Sequence, residues 1–415
     1  MSALPNFLCW VRHWVVLINS VLDGLPLYLM SAMQLPTGIL EQIDAKHRAF
    51  LWTGKDKAKG SQCLIAWNTA CKLKEEGGLG IRRLDTQNSC MLLKLVHRLY
   101  NPCSSSWAAW ARAKIDLASF TGEVSGPHWS AVRALLPAYR SFSRVSIGDG
   151  RSTNFWLDVW SGNQPLAIAM PALYSHATSD RVSVREVQTS GLNAFLVPRR
   201  SRAASLDLLD VQARLNCLVF GEGEDLWTSC FVDDHHKLDT AHLYRISTAT
   251  SASCAHFDFI WKSFAPPRVK FFGWLLVLNR IHCRVNLLQK SMINDVVCPI
   301  CKDGEEDAAH IISGCLFSCT FWAKIGWPPG SMPVAFAPWQ SSLPQHLPPD
   351  YSNTMLLLCF WQLWKHRNDV IFNAFAPDLK RLLTTCRTEC RLWGCRLPKG
   401  SESVIDQWCN AFSLM

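Results

Sequence analysis

Four residues in the second half of the chain have the types and spacing of a structural zinc site. Two residues separate Cys298 from Cys301, eight separate Cys301 from His310, and four separate His310 from Cys315. Zinc prefers a tetrahedral set of thiolate sulfur and imidazole nitrogen, and the short cysteine spacing lets one turn present two sulfurs. Four protein ligands leave no open coordination position, so the pattern predicts a structural Zn²⁺ rather than a catalytic one.

A plainer interpretation of the same residues stays open. The chain contains 18 cysteines, so a pair at this spacing can arise by chance among buried thiols. Agreement of ligand type and spacing across all four positions favours zinc. Cys319 lies one helical turn beyond Cys315 and is a second candidate for the last thiolate. We expect residues 307–314 to be helical, with His310 on the inner side.

A second pattern could also hold a metal. Phe231-Val232-Asp233-Asp234 resembles the paired aspartates of a polymerase palm, which hold magnesium for nucleotidyl transfer. That motif needs apolar strands on both sides, whereas polar residues flank this one, including His235 and His236. No third carboxylate stands upstream in palm-like order. We therefore interpret the pair as a coincidence and predict that the chain is not an enzyme.

Composition limits the class of protein. The chain has 415 residues, of which 49% are hydrophobic and 18% charged, which excludes wholesale disorder. Its net charge of +9 permits RNA or DNA as a partner without requiring it. The start lacks the pattern of a secretory signal, so we expect reduced cysteines in an intracellular protein, with nucleus and cytoplasm both open. The longest apolar runs, residues 14–22 and 355–364, are shorter than a membrane span, so no membrane partner is expected.

Hydrophobic periodicity predicts an α+β protein that is predominantly α-helical. Helices are expected near residues 38–52, 85–100, 269–279 and 355–372, with a basic amphipathic helix in the tail. Alternation through Val145 and Ile147, followed by Gly148-Asp149-Gly150, predicts a small β-hairpin near residues 142–160. We divide the chain into a helical region (1–100), a mixed region (101–235), a helical zinc-binding module (236–330), and a linker, helix and basic tail (331–415).

Several motifs together resemble one family. The run FIWKSFAPPRVKFFGWLLVLNRIHCRVNLLQKSMINDVVCPIC from Phe259, followed by EEDAAHIISGC, is similar to the zinc-binding domain of plant LINE-type (non-LTR) retrotransposon reverse transcriptases. Further similar stretches are LINSVLDGLPLYLMSAMQLP from Leu17, GGLGIRRLDTQNSCMLLKL from Gly77, SIGDGRSTNFWLDVW from Ser146 and WQLWKHRNDVIFN from Trp361. Together they cover most of the chain. One departure is His13-Trp14, where the family usually has a glycine–arginine pair.

The resemblance has consequences for structure and site. It implies that the N-terminal helical region is thumb-like and follows a polymerase palm whose catalytic aspartates lie outside this chain. It also implies that Cys298, Cys301, His310 and Cys315 ligate zinc.

Two hypotheses for function follow, both non-catalytic. The first is a zinc-stabilised, nucleic-acid-associated remnant of a retrotransposon reverse transcriptase. Its candidate phosphate contacts are Lys55, Lys57, Lys59, Lys72, Lys74, Arg82 and Arg83. The alternative is a structural zinc module that mediates protein–protein interaction and has no nucleic-acid role. The sequence makes no prediction of the oligomeric state.

Overall fold

The computed structural model describes residues 14–101, 105–249, 255–328 and 330–413, and these are predominantly helical. Strands are few and form two antiparallel sheets of two strands each within the described residues. The α+β, mainly helical class predicted from sequence is confirmed. By residue contacts the chain divides into two compact units, which we describe separately. The four-part division made from the sequence stays a prediction.

The first unit is assembled from three segments: residues 1–23, 41–82 and 249–415. One apolar core joins all three, from Ile18 and Trp52 to Phe412. Its described helices are Trp67–Ala70, Ala255–Trp261, Pro267–Val277, Arg284–Gln289, Leu316–Lys324, Ser352–Phe372, Leu379–Gly394 and Glu402–Ala411. Short 3₁₀ turns occur at Gly60–Gln62, Lys74–Glu76 and Pro338–Gln340, and π-helical turns at Ile18–Leu22 and His310–Gly314.

Local sequence explains where these helices begin. Pro267 occupies the first turn of its helix, where its missing N–H costs no hydrogen bond. The Asp378 carboxylate accepts a bond from the Arg381 backbone N–H (3.2 Å) and caps the tail helix Leu379–Gly394. The buried face of that helix repeats at helical spacing, and its residues are Leu382, Leu383, Cys386, Cys390 and Trp393. The predicted amphipathic helix of the tail is therefore confirmed.

The second unit comprises residues 24–40 and 83–248. Its helices are Gly24–Ala32, Leu84–Tyr100, Ser106–Arg112, Pro127–Ala134, Leu136–Phe142, Leu166–Ala169, Pro171–Tyr174, Val184–Ser190, Arg202–Asn216 and Thr240–Thr248, with a 3₁₀ turn at Leu192–Phe195. The helix Thr37–Thr53 contributes residues to both units. The fully buried Asn88 side chain donates to the carbonyls of Met30 (2.8 Å) and Met33 (2.9 Å).

The predicted strand near Val145 is present, but its partner differs from the expected one. Arg144–Ser146 pairs antiparallel with Leu226–Thr228, about eighty residues later in the chain, and not with residues that follow the glycine turn. The segment does fold back, because the Val145 N–H donates to the Val159 carbonyl (2.9 Å). A true hairpin forms elsewhere in the mixed region, between Ile115–Asp116 and Thr121–Gly122.

Asp225 explains why the strand that precedes the glycine turn pairs with a strand distant in the chain. This fully buried carboxylate accepts hydrogen bonds from the backbone N–H groups of Gly148 (2.7 Å) and Gly150 (2.9 Å). It also accepts bonds from the hydroxyls of Ser152 (2.9 Å) and Thr153 (2.7 Å). The turn is thus organised around a side chain that the local sequence does not contain.

Replacement of Asp225 by alanine is expected to lower the free energy of unfolding by about 2–3 kcal/mol, because it leaves several buried donors without an acceptor. Urea denaturation followed by circular dichroism measures the change. Asp149→Ala is the matched control, since this half-exposed carboxylate of the same turn accepts one bond, from the Arg151 N–H (2.9 Å). Equal stability of the two variants would contradict the anchoring role of Asp225.

The expectation that no apolar helix reaches the length of a membrane span is wrong. Helical residues run from Trp14 to Ala32, and these 19 residues have a mean hydropathy of 1.5 with 17% of the segment buried. By length and composition this helix could cross a membrane, which is weak evidence on its own. The sequence interpretation ended the apolar run at residue 22, whereas helical structure resumes directly at Gly24.

Candidate metal centre

Cys298 and Cys301 lie on a tight turn that directs both sulfurs to one side. The Cys298 N–H donates to the Gly304 carbonyl (3.1 Å), and the Lys302 N–H donates to the Cys298 carbonyl (3.0 Å). Lys302 and Gly304 both adopt a left-handed backbone, with φ of 60° and 70°. The Cys298 sulfur accepts hydrogen bonds from the backbone N–H groups of Ile300 and Cys301. Such a turn stabilises a thiolate before any metal binds.

A π-helical turn brings His310 and Cys315 together. The Asp307 carboxylate accepts a bond from the His310 N–H (2.6 Å) just before this turn, and the Cys315 N–H donates to the His310 carbonyl (2.7 Å). Cys315 then occupies the N-cap position of the next helix, Leu316–Lys324. The helical segment expected at residues 307–314 is therefore present, with a π-helical turn, which is wider than an α-helical one, at His310–Gly314.

The four side chains meet as the sequence predicted. Their candidate ligand atoms all lie within 4.8 Å of one another. Cys298 Sγ is 4.0 Å from Cys315 Sγ, and Cys301 Sγ is 3.3 Å from His310 Nε2. Tetrahedral zinc with bonds of about 2.3 Å to sulfur and about 2.0 Å to nitrogen separates sulfurs by about 3.8 Å, and sulfur from nitrogen by about 3.5 Å. The Cys298–Cys315 and Cys301–His310 distances are each within about 0.2 Å of these values, so the donor set suits Zn²⁺.

Proton affinity also suits metal binding. A hydrogen bond from the Cys315 thiol lowers the pKa of Cys298 to about 4, and the two backbone N–H bonds contribute. The same bond to Cys298, together with burial, raises the pKa of Cys315. The pair therefore shares one proton, which a bound cation would displace, because metal ligation requires thiolates.

A buried ion pair lies next to the candidate metal centre, and the sequence interpretation did not predict it. Glu306 is fully buried, and its carboxylate accepts two bonds from the guanidinium of Arg367, one of them at 3.0 Å from Nε. It also accepts a bond from the Arg284 N–H (3.1 Å). Glu306 lies between Cys301 and His310, whereas Arg367 belongs to the helix Ser352–Phe372. The only signals in the sequence were the acidic pair before His310 and the arginine inside WQLWKHRNDVIFN.

Two alternative candidates have other roles. Cys319 donates its thiol to the Ser313 carbonyl (3.1 Å) and is outside the four-residue cluster. Asp233 organises an exposed turn, because its carboxylate accepts the backbone N–H groups of His235 (3.0 Å) and Lys237 (2.8 Å). These hydrogen bonds lower the pKa of Asp233, and the bond from the Lys237 N–H has the largest effect. The structure thus gives Asp233 a local structural role.

The seven predicted phosphate contacts are all exposed. Three of them, Lys55, Lys57 and Lys59, share the loop that follows the helix Thr37–Thr53. Some of the others have protein neighbours. Arg83, in the second unit, forms an ion pair with Asp85 (2.8 Å). Burial raises the pKa of Asp23 to about 6, and the positive charge of Arg82 opposes part of this increase. Lys74 lies over the Trp261 ring, 5.6 Å from its centroid.

Comparison with known proteins agrees with this geometry. The family model described as "zinc-binding in reverse transcriptase" matches residues 239–322, a range that contains all four clustered side chains. An uncharacterized mitochondrial protein of Arabidopsis thaliana is 32% identical over 144 residues, which cover 92% of that protein and 33% of this chain. The chain belongs to the family of plant LINE-type reverse transcriptases. The matched domain of this family member is a zinc-binding domain.

A longer relative sets the scale of the match. An Arabidopsis thaliana protein that carries the name of a ribonuclease H protein is 25% identical over 327 residues, or 75% of this chain. The chain spans about half of that relative, 52% of its length. The activity of the longer protein is therefore not assigned to the chain by this similarity.

Proposed function

We propose that the chain is a non-catalytic region of a reverse transcriptase, stabilised by one structural Zn²⁺ and associated with single-stranded RNA or DNA inside the cell. The observation that carries the proposal is the cluster of three cysteines and one histidine within a matched reverse-transcriptase domain. Cys298, Cys301, His310 and Cys315 would hold the ion. With four protein ligands the metal supplies no open position, so its contribution is to fix the turn and the helix start relative to each other.

Net charge and family support the nucleic-acid role. The formal charge is +9, and the candidate lysines and arginines are exposed to solvent. A relative bears the name of a ribonuclease H protein, which belongs to the chemistry of nucleic acids. Electrostatic contact with phosphates releases condensed cations. The logarithm of the binding constant therefore falls linearly with the logarithm of the salt concentration.

The salt dependence of binding tests this role. Fluorescence anisotropy of a labelled uridine 20-mer, titrated with the zinc-loaded full chain between 50 and 200 mM salt, is expected to give a steep negative slope. Each phosphate contact on a single strand contributes about −0.7 to the log–log slope, so Lys55→Gln/Lys57→Gln/Lys59→Gln should flatten it by about 2. An affinity independent of salt would sink the proposal, and an unchanged slope would remove these lysines from the interface.

A protein-binding role is the second candidate, because the helix Gly24–Ala32 leaves large apolar side chains exposed. Leu25 is 73% exposed and Tyr28 is 81% exposed. Apolar faces of this kind mark interaction surfaces more often than isolated apolar residues do. A chain that binds no oligonucleotide at low salt, while Leu25→Gln/Tyr28→Ser changes its association state in sedimentation, would favour this candidate.

A further inference from the structure

Three cationic side chains of the first unit lie close together at its surface, outside the seven phosphate contacts expected from the sequence. They come from three separate elements, and we call them the basic cluster: Arg48, Arg280 and Lys290. All three residues are exposed. Their side chains form no ion pair and no hydrogen bond with any other residue that the structure describes. Their charges are therefore available to a ligand.

Hydrogen bonds hold Arg280 and Lys290 on neighbouring turns. The Asn286 side chain donates to the carbonyls of Asn279 (3.1 Å) and Ile281 (2.9 Å), one on either side of Arg280. Lys290 occupies the C-cap of the helix that carries Asn286, four positions further along. Residues four apart on a helix share a face, so both cations point away from the same turn.

The half-buried Cys63 lies beside this turn and beside Arg48. Burial raises the pKa of the Cys63 thiol, and the positive charges of Arg48 and Lys290 oppose the increase. Burial also lowers the pKa of Lys290, and the charge of Arg280 lowers it further. Surface charges act over about 8–10 Å at physiological salt, so these groups are neighbours. The thiol also donates to the Lys59 carbonyl (3.8 Å), which places the basic loop next to the cluster.

The positive charge of the cluster is not balanced by its acidic neighbours in the chain. Asp295 is the acidic residue closest in sequence to Lys290, and it pairs with Arg284 at 2.7 Å. Asp44 lies one helical turn before Arg48 and offsets part of the charge at that end of the cluster. Like charges held together cost free energy, which a bound anion recovers. The cluster therefore favours an anionic ligand.

Exposed apolar side chains border Lys290 and narrow the choice of anion. Leu288 is 42% exposed and Met292 is 58% exposed. The Met292 N–H donates to the Leu287 carbonyl (3.0 Å), so the chain folds back after the helix and keeps both side chains near Lys290. An unpaired base offers a flat apolar face close to its phosphate, and covering apolar area is favourable. A free phosphate ion offers no such surface.

We infer that the basic cluster binds the sugar–phosphate backbone of a single-stranded nucleic acid, with Arg280 and Lys290 in contact with phosphates. The exposed side chains of Leu288 and Met292 then pack against the unpaired bases. Arg48 and the neighbouring basic loop extend the same surface. A guanidinium binds two phosphate oxygens at once, whereas an ammonium acts as a point charge. The inference rests on the proposed function and names the surface that performs it.

The salt dependence of binding by matched double variants tests the inference. The labelled uridine 20-mer is titrated with the zinc-loaded full chain between 50 and 200 mM salt. Arg280→Gln/Lys290→Gln is expected to flatten the log–log slope by about 1.4, because each phosphate contact contributes about 0.7. Arg280→Lys/Lys290→Arg keeps both charges and should keep most of the slope. Arg391→Gln/Lys399→Gln is the control, since it removes the same residue types from exposed positions of the same unit, and its slope should equal that of the parent.

Alkylation of Cys63 gives a measurement that needs no variant. Bound nucleic acid covers the thiol and neutralises the cations around it, so reaction with iodoacetamide should slow at least about threefold. Mass spectrometry of the resulting peptides measures the rate at each cysteine. The exposed Cys395 of the same unit is the internal control and should react equally fast with and without the 20-mer.

The outcomes separate this surface from the wider function. Inorganic phosphate and poly-glutamate, added at constant ionic strength, should displace the 20-mer far less than unlabelled 20-mer does. Equal displacement by phosphate would indicate a plain anion site, and equal displacement by poly-glutamate a site for acidic peptides, and either would overturn the inference. Equal slopes for the cluster and control variants, or an unprotected Cys63, with the parent binding normally, would also overturn it and leave the proposed function intact. Failure of the parent chain to bind the 20-mer at 50 mM salt would instead reject the proposed function.

Discussion

Replacement of Cys298 by serine, or of His310 by alanine, is expected to release about one zinc ion per chain and to destabilise the first unit by at least about 4 kcal/mol. The reason is that structural zinc contributes on the order of 10 kcal/mol or more to folding of small zinc modules. Here the module also packs on the large apolar core of its unit, so part of that contribution comes from other contacts. Elemental analysis and thermal denaturation are the two measurements.

Cys319→Ser is a closely matched control for these variants. It removes a half-buried thiol near the centre, which donates to the Ser313 carbonyl instead of joining the cluster. This variant should retain zinc and lose little stability. The parent treated with a strong chelator should melt like Cys298→Ser. A parent without zinc, or a Cys298→Ser variant as stable as Cys319→Ser, would exclude a structural metal at this site.

The second large effect concerns the buried ion pair. Arg367→Met is expected to lower the free energy of unfolding by about 3–5 kcal/mol, because it leaves the fully buried Glu306 carboxylate without its counter-charge. Glu306→Gln/Arg367→Met should recover part of the loss, since the charge that lacks a partner is then absent. Urea denaturation of the single and double variants gives the coupling energy between the two side chains.

Lys262→Met is the control for this ion pair. Lys262 is 73% exposed and pairs with Asp258 at 2.6 Å, so its removal should cost less than about 1 kcal/mol. The rate of zinc release to a chelator is a second measurement. Release should be faster from Arg367→Met than from the parent, because Glu306 belongs to the chain segment that joins two of the cluster residues. An Arg367→Met loss no larger than that of Lys262→Met would contradict the role assigned to the pair.

Local patterns predicted local structure well in this chain. The helices expected near residues 38–52 and 85–100 are present as Thr37–Thr53 and Leu84–Tyr100, since apolar periodicity is a property of neighbouring residues. The four clustered residues were also identifiable, because each pair comes from a short segment. Spacing alone left Cys319 open as a ligand, and only the π-helical turn before Cys315 distinguishes the two thiols.

Features that join distant segments were not predictable in the same way. Glu306 and Arg367 are 61 positions apart in the chain, and the strand that pairs with Arg144–Ser146 begins at Leu226. No periodicity links such positions. The extension of helical structure through Asp23 was missed for another reason, because Asp-Gly is a common turn pair and its local preference was outweighed here.

The three-segment construction of the first unit affects how the chain can fold during synthesis. The bond from Trp274 to Gly77 joins residues 197 positions apart, and the same core includes Ile18 near one end and Phe412 near the other. A ribosome adding about 5–20 residues per second needs roughly 10–40 s to cover that separation. During this interval the apolar helices made early lack the later segment on which they pack. Most of the second unit is translated in the same interval. Early chaperone contact with residues 14–82 is the expected consequence.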